Sequence, residues 1–116
     1  MNHVVLLGRI VRPQEIREAK GVEVLNNVLA VKDTHRENQV AFVPFTAWGK
    51  LARLLYQYVQ KGERVGIMGR IDTRHYTDKN GEEVYVMEVI VQEVHFIERK
   101  QKETPKEASV DVFGDL

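Results

Sequence analysis

Val65-Gly66-Ile67-Met68-Gly69-Arg70-Ile71-Asp72-Thr73-Arg74-His75-Tyr76 alternates along its length, the period-two pattern of a half-buried strand. The polar stretch Thr77-Asp78-Lys79-Asn80-Gly81-Glu82 follows, and Val84 to Ile97 resumes the alternation. Together they predict a long β-hairpin with its tip at residues 77–82. In the first strand Val65, Ile67, Gly69, Ile71 and Thr73 share one face, expected to be core. Met68, Arg70, Asp72, Arg74 and Tyr76 share the other, an outward stripe of two arginines ending in an aromatic ring.

Upstream of the hairpin, Leu51, Leu54, Leu55 and Tyr58 fall at helical spacing within Lys50 to Gln60, and Lys61-Gly62 supplies a stop. Val40 to Trp48 reads as a strand interrupted by Pro44, which suggests an edge position or a bulge. Asp33 to Gln39 is polar and reads as a loop. Val22 to Lys32 is a long strand with Leu25, Asn27, Leu29 and Val31 on one face and Val24, Val28 and Ala30 on the other. Before the Lys20-Gly21 turn stand a short strand at Glu15 to Glu18 and a longer one from His3 to Val11. Three long strands, with the short one after the first, then one helix and a long hairpin is the order of an all-β, five-stranded OB-fold barrel, although periodicity alone also permits another small β-barrel or an α+β sandwich. From Glu98 the pattern dissolves. The expected organisation is a domain over residues 1–99 and a short disordered tail over residues 100–116.

Composition narrows the function. The 116 residues carry 17 Lys plus Arg and 17 Asp plus Glu, so a polyanionic partner must be recognised through arrangement rather than bulk charge. The absence of cysteine excludes disulfides, a cysteine nucleophile and thiolate metal sites. His3, His35, His75 and His95 show no metal-ligand spacing, no glycine pattern cradles a phosphate, and the only serine, Ser109, lies in the tail. An enzyme, a metal and a cofactor are therefore not expected. No targeting or membrane segment is expected from the opening residues, because the apolar stretch Val4 to Leu7 is broken at Gly8 and Arg9; the expected location is cytoplasmic.

Phe42 and Trp48 are six positions apart, so they project from one face with Pro44 and Thr46 while Val43, Phe45 and Ala47 fill the core, unless a bulge at Pro44 resets the register. Large apolar groups on both faces of a strand mean either a doubly covered core strand or a ring set held out for a partner or for bases. The Arg70 and Arg74 stripe is open to the same two readings: a solubilising outer face, or guanidinium groups for phosphates beside Tyr76 as a stacking platform.

Several blocks resemble one family, the bacterial and phage single-stranded DNA-binding proteins, over roughly the first hundred positions. Asn2-His3-Val4-Val5-Leu6-Leu7-Gly8-Arg9-Ile10 is similar to the family's first strand, and Pro13 to Arg17 to the segment after it. Phe45-Thr46-Ala47-Trp48-Gly49-Lys50-Leu51-Ala52 resembles its strand-to-helix junction, Tyr58-Val59-Gln60-Lys61-Gly62 its helix end, and Gly69-Arg70-Ile71 with Thr73-Arg74 its following strand. The resemblance implies an OB-fold, base stacking on Phe42, Trp48 and Tyr76, with His35 at a fourth stacking position, and phosphate contacts at Lys50 and Arg74, to which the strand-face argument adds Arg70. It also implies a homotetramer that acts on single-stranded DNA in replication, recombination and repair, associated with the nucleoid. The family's tail tip, an aspartate cluster ending in Pro-Phe that recruits replication and repair proteins, is echoed here only by Asp111, Phe113 and Asp115. Two other readings remain: an OB-fold interaction module of a replication assembly with weak or no DNA binding, and an RNA-binding domain.

Overall fold

The computed structural model describes residues 1–97. The tail expected over residues 100–116, with Asp111, Phe113 and Asp115, lies outside the described residues. Alternating aliphatic and polar residues build six strands around one helix: β1 (Val4–Ile10), β2 (Arg17–Ala19), β3 (Val22–Lys32), β4 (Val40–Trp48), α1 (Lys50–Tyr58), β5 (Arg64–Thr77) and β6 (Glu83–Phe96). The strands run in the order β1-β5-β6-β4-β3-β2, and β1 also pairs with β3 at Arg9 with Ala30 and Ile10 with Leu29, which closes the ring. Only β4 and β6 are parallel, joined at Phe45 with Val89 and Thr46 with Ile90. This is the expected OB-fold: five barrel strands, with the three-residue β2 added at the edge of β3. That short strand starts two residues later than expected because Lys20 (φ 55°) and Gly21 (φ 80°) form a two-residue turn that pairs Ala19 with Val22; positive φ at both central positions is what a tight hairpin turn requires.

Inside the barrel, Ile10, Leu25, Leu29, Phe45, Ala47, Val65, Ile67, Val89 and Val91 pack with Ala52, Leu55 and Val59. Helix α1 contacts β3, β4 and β6. Tyr58, expected on its apolar side, is instead half exposed and meets Phe96 edge-on at 5.7 Å between ring centroids. Val59 takes the buried place because the chain turns extended there, its N–H still donating to Leu55 O.

Pro44 produces no bulge, since the pairing of β3 with β4 runs unbroken from Val24 with Trp48 to Lys32 with Val40. Val28, opposite Pro44, gives its carbonyl to Val11 N–H instead, so the missing proline N–H leaves no gap in the ladder. On its other side β4 joins β6 only from Phe45 onward, so Pro44 occupies a locally free edge within a strand that is interior in the sheet order. A second correction concerns Ile71 and Thr73. Both are exposed, because the β5–β6 hairpin runs on past the closed barrel and its inner face has nothing left to cover it.

Asn27 is the clearest internal polar device, only 3% exposed on a core face. Its Nδ2 donates to Arg12 O (3.1 Å) and Gln14 Oε1 (2.7 Å), and its Oδ1 accepts from Arg12 N (3.2 Å) and Val28 N (2.7 Å). Gln14 Nε2 then donates to Leu55 O and Val59 O, both at 3.2 Å. One amide thereby ties the β1–β2 connection to the end of the helix. Asn27→Ala removes all four of these bonds from a part-buried site and is expected to cost about 1–3 kcal/mol. Thermal denaturation checks this: each kcal/mol lowers the midpoint by ~4–8 °C in a domain of this size.

Candidate nucleic-acid interface

Because β4 keeps its register through Pro44, Phe42, Pro44, Thr46 and Trp48 all project away from the core, opposite Ala30, Val28, Asn26 and Val24 of β3. On the hairpin, Arg70, Asp72, Arg74 and Tyr76 pair with Ile90, Glu88, Val86 and Val84. All of these belong to the same outer face, the one opposite Val89 and Val91. Five residues singled out in the sequence therefore share a face, Phe42 and Trp48 from β4 and Arg70, Arg74 and Tyr76 from β5, with β6 between the two strands. The rings are open, with Phe42 65%, Trp48 45% and Tyr76 48% exposed. The doubly covered reading of β4 is excluded, since Phe45 and Ala47 are buried and Val43 packs against the core while Phe42 and Trp48 on the opposite side stay open.

A line of polar contacts shows that the face is continuous. Arg17 Nη2 donates to Asn26 Oδ1 at 3.0 Å, Asn26 Nδ2 donates to Thr46 Oγ1 at 2.7 Å, and Thr46 Oγ1 donates to Glu88 Oε1 at 2.7 Å. Glu88 Oε2 then stands 3.6 Å from Arg74 Nε. This line crosses β2, β3, β4, β6 and β5 in turn. Arg70 Nη1 lies 3.8 Å from Asp72 Oδ1. Thr46 is legible from its even spacing to Phe42 and Trp48; Arg17, Asn26 and Glu88 are not, because only the pairing of strands distant in sequence brings them beside it.

The other two sequence-identified residues sit at the margins. Lys50 is the exposed first residue of α1, two positions beyond Trp48. His35 is exposed in the β3–β4 loop, where its backbone N–H donates to Asp33 Oδ1 at 2.7 Å. That bond, followed by the Arg36 guanidinium at 3.0 Å from Asp33 Oδ2, holds the Asp33 carboxyl below the usual carboxylate range. Among the described residues no group of three His, Cys, Asp or Glu side chains gathers as a metal site, and no helix is long and apolar enough to cross a membrane.

Chemically, such a face offers flat π-surfaces beside guanidinium groups. Residues 1–97 match the sequence model of the Single-strand binding protein family. The chain belongs to this family. It is 37% identical to Single-stranded DNA-binding protein 1 of Clostridium acetobutylicum over 108 residues, which is 88% of this chain and 98% of that one. With the Single-stranded DNA-binding protein of Clostridium tetani it shares 39% identity over 109 residues, 90% of this chain and 75% of the relative. The counterpart in Halalkalibacterium halodurans is 36% identical over 119 residues, covering 98% and 71%. Family membership spans every strand that supplies the outer face.

Proposed function

We propose that the outer face of β4, β6 and β5 binds single-stranded DNA without strong sequence preference. Phe42, Trp48 and Tyr76 stack bases, with His35 as a weaker fourth platform, and Lys50, Arg70 and Arg74 meet phosphates. The observation that carries this reading is the register that sets three exposed rings and two arginines on one face of a chain in this family. Stacking is indifferent to base identity because every base has a π-face, and duplex DNA hides those faces in its own stack, so single strands are preferred. The role is protective binding during replication, recombination and repair, not catalysis, and it places the protein with the nucleoid in the cytoplasm.

Assembly as a homotetramer is part of the same proposal. It is supported by the outward side chains of β1, where Val5 is 65% and Leu7 50% exposed, apolar surface that a partner copy would cover. Recruitment of replication or repair proteins would fall to Asp111, Phe113 and Asp115.

Anisotropy of a labelled oligothymidine, competed with unlabelled single strand, duplex of equal length and oligouridine, tests the function. The expected result is displacement by the single-stranded DNA and almost none by duplex. Equal displacement by duplex would remove the stacking mechanism, and preferential displacement by oligouridine would make RNA the ligand.

A further inference from the structure

The two arginines that β5 gives to the outer face do not stand alone. Arg74 has Glu88 at 3.6 Å and Arg70 has Asp72 at 3.8 Å, so within this part of the surface two cations are matched by two carboxylates. Glu88 cannot swing aside freely: its side chain is 12% exposed, and its second oxygen accepts from Thr46 Oγ1 at 2.7 Å, itself tied to Asn26. We propose that Glu88 and Asp72 are affinity-limiting residues of the single-strand site, anions that occupy Arg74 and Arg70 before DNA arrives and stay near the phosphates afterwards, Glu88 because it is held by Thr46 and Asp72 because it is two residues along the same strand face. This rests on the binding reading above and adds to it a reason why the face carries carboxylates at all.

The physical argument is one of sign and distance. A phosphate engaged by Arg74 must approach within about 6 Å of the Glu88 carboxylate, and two like unit charges at that separation in a water-like dielectric change an equilibrium constant roughly threefold. Each arginine already neutralised from within also releases fewer counterions when DNA binds, so the salt dependence is shallower than two free arginines would give. Holding Arg74 in place does not account for the pair equally well, because the arginine side chain is itself 59% exposed and its 3.6 Å contact is too loose to order so open a group.

The test uses Glu88→Gln, which keeps an oxygen for the Thr46 hydroxyl, and Asp72→Asn at the more exposed site, in the full chain. Oligothymidine affinity is measured for each between ~50 and ~200 mM salt, with thermal midpoints alongside. Each variant is expected to bind about threefold more tightly at the low end, with a salt slope steeper by about 0.7, the single-strand value for one further phosphate neutralised. Unchanged or weaker binding with an unchanged slope, at an unchanged midpoint, would overturn the proposal; if Glu88→Gln fails to fold, Asp72→Asn decides it alone. Failure of the unaltered protein to bind oligothymidine would instead remove the function on which the proposal rests.

Discussion

Replacing Phe42 and Trp48 together by alanine is expected to weaken oligothymidine binding by thirtyfold or more while leaving the fold intact. Each base stacked on an aromatic side chain contributes about 1–3 kcal/mol, and two lost platforms amount to about 2–6 kcal/mol. Phe42 and Trp48 project from the same side of β4, away from Phe45 and Ala47, and are 65% and 45% exposed, so little core packing goes with them. Titration of both single variants and the double variant, with circular dichroism to monitor the fold, checks the claim. The interaction-module alternative makes the opposite forecast: an unchanged weak affinity and a lost protein contact.

The largest effect on stability is expected at Gly69→Ala. A Cβ at this position would lie 2.1 Å from the Ile90 carbonyl oxygen and 3.0 Å from its carbon, and that obstacle is backbone, which cannot rotate out of the way. The close approach arises at a bulge. Met68 pairs with Glu93 and Gly69 with Val91, leaving Gln92 as the extra residue that resets the parity of β6. Before it Val89 and Val91 face the core; after it Val94 and Phe96 do. Overpacking usually costs about 1–3 kcal/mol, and a backbone collision between β5 and β6 places Gly69→Ala at or above the top of that range. Urea unfolding would show a lower midpoint with an unchanged slope. A variant as stable as the parent would mean that β5 and β6 can separate at the bulge without loss.

Much of this architecture is legible in the amino-acid sequence because it is local. Strands β3 and β4 begin and end where alternation and turn residues place them, and the even spacing of Phe42, Thr46 and Trp48 survives Pro44 because the proline lies where no ladder bond was needed. The hairpin of β5 and β6 is equally plain in its alternation and polar tip. What the sequence does not disclose depends on contacts between distant segments. Tyr58 has the spacing of a core residue but lies on the flank of α1 that meets Phe96. Ile71 and Thr73 keep the core parity after the barrel has ended, and no local pattern marks that end. The same limit hides Glu88: a glutamate among valines on an outer face looks like ordinary surface until the parallel pairing of β4 with β6 sets it beside Thr46 and Arg74. Family resemblance points to the rings and to Arg74, while the polar line from Arg17 to Glu88 emerges only from the register.

Trp48 is the only tryptophan in the chain, and its fluorescence reports directly on whether a base lies against β4. Titration with oligothymidine at low salt is expected to quench it strongly, less so as salt rises, and hardly at all with duplex of equal length. Unchanged emission while binding is seen by anisotropy would place the strand elsewhere on the barrel and contradict the assignment of this face.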